Sequence, residues 1–71
     1  MSVIKTDWAH EPLGDEAIAK VDLFSDGDCE VTLMKNGGDD RLTVRRPAPD
    51  ILTTLRRLTD RVARHVVEVK S

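Results

Sequence analysis

From Ala17 onward the chain alternates between apolar and polar positions. Ala19, Val21 and Leu23 are separated by Lys20 and Asp22. Cys29, Val31 and Leu33 alternate with Glu30, Thr32 and Met34, and Leu42 and Val44 alternate with Arg41, Thr43 and Arg45. A period of two with one apolar face is the pattern of strands covered on one side only. It predicts three antiparallel strands that turn their apolar residues to one side.

Turn chemistry tests the pairing, because residues opposite each other in a sheet must share a face. Setting Val21 against Val31 also sets Leu23 against Cys29 and Ala19 against Leu33. Ser25-Asp26-Gly27 is then a three-residue loop, with Gly27 at the left-handed position such hairpins need. In the next hairpin, Val31 against Val44 and Leu33 against Leu42 leave Gly37-Gly38 as a two-residue turn. A rival register turns on Asn36-Gly37 and keeps the same apolar face. The first register also sets Glu30 against Arg45 and Lys35 against Asp40. Opposite charges across a ladder contribute a few tenths to about 1 kcal/mol each, which favours it.

Pro47-Ala48-Pro49 ends the third strand, since proline cannot donate to a ladder. Pro49 and Asp50 suit the first turn of a helix. Ile51, Leu55, Leu58, Val62, Val66 and Val69 then fall within an arc of about 80° at helical spacing. The spacing predicts a helix over 50–69, lying across the apolar face of the sheet. Its inward residues join those of the strands as one core.

Residues 1–16 predict an N-terminal arm or edge strand. Ile4, Thr6 and Trp8 share one side of a pleat, and Pro12 and Gly14 break regular structure beyond them. The fold expected is therefore α+β: a three-stranded antiparallel β-meander, with a fourth N-terminal edge strand allowed, packed against one long C-terminal α-helix. Residues 17–71 form the single β-β-β-α domain.

Size changes this picture. A chain of 71 residues buries only about 60% of the surface it exposes when unfolded. One cysteine, Cys29, excludes an internal disulfide framework and a cysteine-built zinc site. Extra stability has to come from close packing, a partner or self-association, so the expected partners are a second copy or another protein. No apolar run approaches the roughly 20 residues that span a bilayer. The start Met-Ser-Val-Ile-Lys lacks the apolar core of a signal peptide. A cytoplasmic protein with no membrane partner is expected.

Charge is split along the chain. Residues 1–40 hold 3 Lys against 10 acids, and residues 41–71 hold 7 Arg and Lys70 against 3 acids, or -7 and +5. The simplest reading is that the two halves neutralise each other within the fold. Arg41, Arg45, Arg46, Arg57, Arg61 and Arg64 are the candidates for the alternative, a nucleic-acid-binding protein with an Arg-rich C-terminal half. Against it stand a pI of about 5.6, and Trp8 and Phe24 as the only aromatics for base stacking. Arg57, Arg61 and Arg64 line one flank of the helix, where Asp60 and Glu68 are in reach for intrahelical ion pairs.

Leu52, Ala63 and Val67 lie on the other flank and widen the apolar surface beyond a core stripe. Either the N-terminal arm covers them through Trp8 or Leu13, or they contact a partner. The candidate partner-binding residues are Leu52, Ala63, Val67, Arg57, Arg61 and Arg64. The acids at the turns, Asp26, Asp28, Asp39 and Asp40, are explained by turn chemistry, and the oxygen spacing of a calcium loop is missing. His10 and His65 have no ligand spacing around them. Neither a catalytic constellation nor a site for metal, cofactor or small-molecule substrate is expected. The function expected is a small intracellular protein–protein interaction module without catalytic activity, of the kind a phage-type inhibitor or accessory protein would be.

Overall fold

The computed structural model describes residues 2–70. Four strands and one helix follow in order: β1 (Lys5–Leu13), β2 (Ala17–Phe24), β3 (Asp28–Lys35), β4 (Arg41–Pro47) and α1 (Ala48–Lys70). The strands form one antiparallel meander, β1-β2-β3-β4, and α1 packs against it from its C-terminal side. The fold is α+β, as the periodicity implies, and the allowed fourth strand is present.

The central hairpin has the expected register, with Val21 opposite Val31, Leu23 opposite Cys29 and Ala19 opposite Leu33. Its loop turns back through Gly27 N–H donating to Phe24 O at 3.1 Å, with Gly27 at φ 91°. Asp26 Oδ1 accepts from the Asp28 N–H at 3.0 Å and closes the loop from its side chain. Only glycine occupies that φ at little cost.

The second hairpin also takes the charge-favoured register, with Val31 opposite Val44, Leu33 opposite Leu42 and Glu30 opposite Arg45. Its turn differs in detail. Gly38 N–H donates to Lys35 O at 3.4 Å and Gly37 takes φ 76°, so Asn36-Gly37 form the corner of the turn. Asn36 is drawn away from Asp39: its N–H donates to Glu16 O at 2.8 Å and its side-chain amide to Asp15 O at 3.0 Å. The β1–β2 and β3–β4 loops are thereby tied together at one end of the sheet.

Of the two forms expected of the N-terminal segment, Lys5–Leu13 takes that of an edge strand. β1 pairs along β2 from Lys5 opposite Phe24 to Leu13 opposite Ala17. A register shift between Lys5 and Asp7 breaks the alternation that Ile4, Thr6 and Trp8 suggest. Pro12 is accommodated because β1 is an edge, where one side of the backbone needs no ladder partner. Parity then defines two faces. The inner face carries Asp7, Ala9, Glu11 and Leu13 of β1 with the apolar residues of β2, β3 and β4. The outer face carries Trp8, His10, Lys20, Asp22, Phe24, Glu30, Thr32, Arg41, Thr43 and Arg45.

The helix starts earlier than its apolar spacing suggests, at Ala48, because the Ala48 N–H donates to Gly27 O at 2.9 Å and pins the first turn to the β2–β3 loop. Asp50 in that turn accepts from Arg46 Nη2 at 3.4 Å. Thr53 Oγ1 donates to Pro49 O at 2.9 Å.

The helix does not lie along the sheet. Nine residues of strand give a sheet about 30 Å long, and 23 residues of helix give about 34 Å. The Cα trace measures 53 × 31 × 16 Å. Only a helix that overhangs the sheet by about 20 Å reaches that length. α1 meets β3 and β4 through its first turns and then runs free of them. The expected common core is therefore open. Cys29, 4% exposed, is the buried hydrophobic residue, and Leu33, Leu42, Val44, Leu55, Leu58, Val62, Val66 and Val69 are all exposed.

Candidate association surface

Two apolar surfaces meet at the start of α1. The first is the inner sheet face, where strand alternation brings Val21, Val31, Leu33, Leu42 and Val44 side by side. The second is the helix stripe, which Ile51 and Leu55 begin on the sheet and Leu58, Val62, Val66 and Val69 continue past it. On either side of the first helical turns lies an open groove. One, of about 530 Å³, runs between Val31 and Val44 of the sheet and Ile51, Thr54 and Leu55 of the helix. The other, of about 430 Å³, lies between Val21, Leu23 and Cys29 and the residues Pro49, Ile51, Leu52 and Leu55. Leu42 is 66% exposed, Leu58 56% and Val62 62%.

The accessible area measures how much is left open. The chain exposes 6056 Å², where a folded monomer of 7.9 kDa ordinarily exposes about 4400 Å². The surplus is about 1600 Å², twice the roughly 800 Å² that one partner buries in an ordinary interface. The radius of gyration is 14.6 Å, against about 11 Å for a folded chain of this length.

Leu52, Ala63 and Val67 remain uncovered by β1, which lies at the edge of the sheet away from the helix. Trp8 is on the outer face, and Leu13 sits at the far edge of the inner one. Of the three, Leu52 borders a groove and extends the apolar surface; Leu52 and Val67 are both exposed. Val44, Leu42 and Leu33, read from the alternation as core, belong to the surface as well.

The six candidate arginines are not brought together. Arg41 and Arg45 belong to the outer face, Arg46 to the inner face, and Arg57, Arg61 and Arg64 to the helix flank. Arg45 Nε donates to Asp28 Oδ2 at 3.0 Å and Arg45 Nη2 to Asp26 Oδ2 at 3.3 Å, while its guanidinium stacks 3.9 Å from the Phe24 ring centre. The bond to Asp28 outweighs the effect of partial desolvation and, with Asp26 beside it, raises the pKa of Arg45. Its cross-strand neighbour Glu30 is not the partner it selects. Between the acidic and basic halves, Arg45 pairs with Asp26 and Asp28, while Arg46 pairs inside the basic half with Asp50.

The outer face is polar and internally matched. Asp22, 6% exposed, has Lys5 Nζ at 3.1 Å and Lys20 Nζ at 3.7 Å from Oδ1. That oxygen has no aligned hydrogen bond, so charge rather than directed bonding compensates its burial. Thr32 and Thr43 share a hydroxyl bond of 3.3 Å. Trp8 stacks on His10 with centroids 5.4 Å apart, and Lys20 Nζ lies 5.9 Å from the Trp8 ring.

Cys29 faces the interior between the sheet and Leu52's groove. Burial first, and the charge of Asp22 second, raise its thiol pKa. At neutral pH it is a thiol, not a thiolate nucleophile. Labelling with a thiol reagent is expected to be slow near pH 7 in the folded protein, and to accelerate at higher pH than in the urea-unfolded chain. Equal rates in the two states at every pH would show that the thiol is neither buried nor shifted.

Among the described residues, no group of three or more His, Cys, Asp and Glu gathers as metal ligands would. None of the described helices is long and apolar enough to cross a membrane. No family model matches the chain, and no curated protein or solved structure shows significant similarity to it.

Proposed function

We propose that this chain is a non-catalytic protein–protein interaction module that works through the inner sheet face and the helix stripe. The observation that carries this reading is the row of exposed apolar residues from Leu33, Leu42 and Val44 on the inner sheet face to Leu55, Leu58, Val62, Val66 and Val69 on the helix, in a chain that exposes about 1600 Å² more than a compact monomer of its mass. Contiguous exposed apolar surface on a monomer marks a binding site. The basic flank of Arg57, Arg61 and Arg64 borders the stripe and supplies the polar rim. An inhibitor or accessory protein acting by occupying another protein's surface fits this design.

The rival, nucleic-acid binding, needs an uncompensated basic surface. The scattering of the arginines over three surfaces, and the pairing of Arg45 and Arg46 with Asp26, Asp28 and Asp50, count against it.

Retention experiments with an extract of the source cells separate the two. The tagged parent is expected to retain a defined protein component, its own untagged copies included, and the Leu58→Asp variant to lose it. Retention of nucleic acid alone, falling with salt by about 0.9 log units per log unit of salt for each duplex phosphate neutralised, would replace this reading with the rival.

A further inference from the structure

Past Leu55 every described residue of the helix is exposed, and its connection to the sheet directs it away from the inner face. β4 ends at Pro47 and α1 begins at Ala48, with no loop between them. Pro47 and Pro49 fix φ on both sides of Ala48, and the Ala48 N–H is held by Gly27 O at 2.9 Å. The direction of the helix is set at its first residue. It cannot fold back over Leu33 and Leu42. Some 15 residues of helix therefore stand in solvent, a length at which isolated helices are marginal in water.

We infer that the occupant of the association surface is a second copy of this chain, in a two-fold dimer in which each overhanging helix lies on the partner's inner sheet face. This rests on the association reading above and names its partner. Three observations select a second copy.

The two uncovered surfaces belong to the same chain and complement each other: a helix stripe in need of a sheet and a sheet face in need of a helix. A two-fold contact satisfies both at once, in both copies, since each surface meets its counterpart reciprocally. The area agrees. A chain with about 1600 Å² more accessible surface than a compact monomer has room for the roughly 1000 Å² or more that each partner of a permanent dimer buries.

Charge agrees too. From Ile51 to Lys70 the helix carries Arg56, Arg57, Arg61, Arg64 and Lys70 against Asp60 and Glu68, a balance of +3, while residues 1–40 stand at -7. The inner face presents Asp7 and Glu11 along β1, at the edge away from Arg46, with Lys35 at the loop end of β3. Asp15, Glu16, Asp39 and Asp40 lie in the two loops tied at the sheet's end. No arginine of the helix reaches a sheet carboxylate within the described residues of its own chain. A helix laid on the partner's sheet brings the basic flank toward these acids. The neutralisation that Arg45 begins within one chain, at Asp26 and Asp28, is then extended between two. The outer faces, with Trp8 and His10, are left pointing away on both copies.

Sedimentation equilibrium of the full chain gives the first reading. A mass twice 7.9 kDa across the micromolar range is expected. Val62→Asp on the helix and Leu42→Asp on the sheet should each weaken the dimer by about a hundredfold or more, as truncation of a central interface anchor does. Because either variant can lose its helix on dissociation, a second measurement uses the parent alone. In a mixture of isotope-labelled and unlabelled copies, intermolecular NOEs are expected between methyls of Leu58 or Val62 and those of Leu33, Leu42 or Val44. A dimer without them overturns the reciprocal arrangement. A parent that is monomeric at every concentration overturns the second copy as occupant. If that monomer still retains a different protein from extract, and Leu58→Asp abolishes it, the interaction-module reading stands without this inference. If it retains none, both fall.

Discussion

Heating the protein at two concentrations a hundredfold apart is expected to give melting temperatures roughly 5–10 °C apart, the more concentrated sample melting later. Dissociation accompanies unfolding in a dimer whose helix has no cover as a monomer. A hundredfold change in concentration is then worth about 2.7 kcal/mol per dimer. Shared between two chains, this is about 1.4 kcal/mol each, and a small domain shifts by about 4–8 °C per kcal/mol. The helical signal at 222 nm should report the same shift, since α1 loses its packing together with the interface. A melting temperature independent of concentration identifies a chain that is stable alone despite its open face.

Gly27→Val is expected to lower stability by about 2 kcal/mol and the melting temperature by roughly 10 °C. Nothing lies within 4 Å of a Cβ built at this position, so the loss is not a clash. It arises from the backbone: φ is 91°, and a β-branched residue there is a steric outlier. The position also matters beyond its loop, because Gly27 O accepts the bond that starts α1. Gly38 provides the control, having no positive φ and only Asp40 N as near as 3.9 Å to a built Cβ. Gly38→Ala should leave the melting temperature close to that of the parent. Equal losses at the two positions would show that flexibility, rather than the left-handed conformation, is what these loops require.

The two hairpins were legible because two independent constraints agreed in each. In the first, the apolar face and the three-residue loop demand one register. In the second, the face allows two registers; the Glu30–Arg45 opposition pointed to the observed one, although Arg45 pairs with Asp26 and Asp28 instead. β1 was harder to read for a physical reason. A bulge between Lys5 and Asp7 inserts a residue and reverses the parity, so Trp8 comes out on the polar face. Pro12 resembles an end of structure but is compatible with an edge.

The association surface was half legible. Periodicity shows which helical residues share a stripe, and it gathered Leu58, Val62, Val66 and Val69 correctly. It does not say what the stripe faces. That depends on the angle at which α1 leaves β4, and this angle is decided by the absence of a loop between Pro47 and Ala48. A pattern built for a partner and a pattern built for the chain's own core look alike at helical spacing. The direction in which α1 leaves β4 distinguishes them, and the spacing of apolar residues does not encode it.

The bulge and proline of β1 also set a limit on growth. A four-stranded sheet has two open edges, each able in principle to template further strands. Here one edge is kinked at its start and lacks an N–H donor at Pro12. The other bears Arg41, Arg45 and Arg46 and terminates at Pro47. Strand-by-strand extension is disfavoured at both edges. In the proposed dimer the apolar inner faces cover each other, and the assembly closes at two copies.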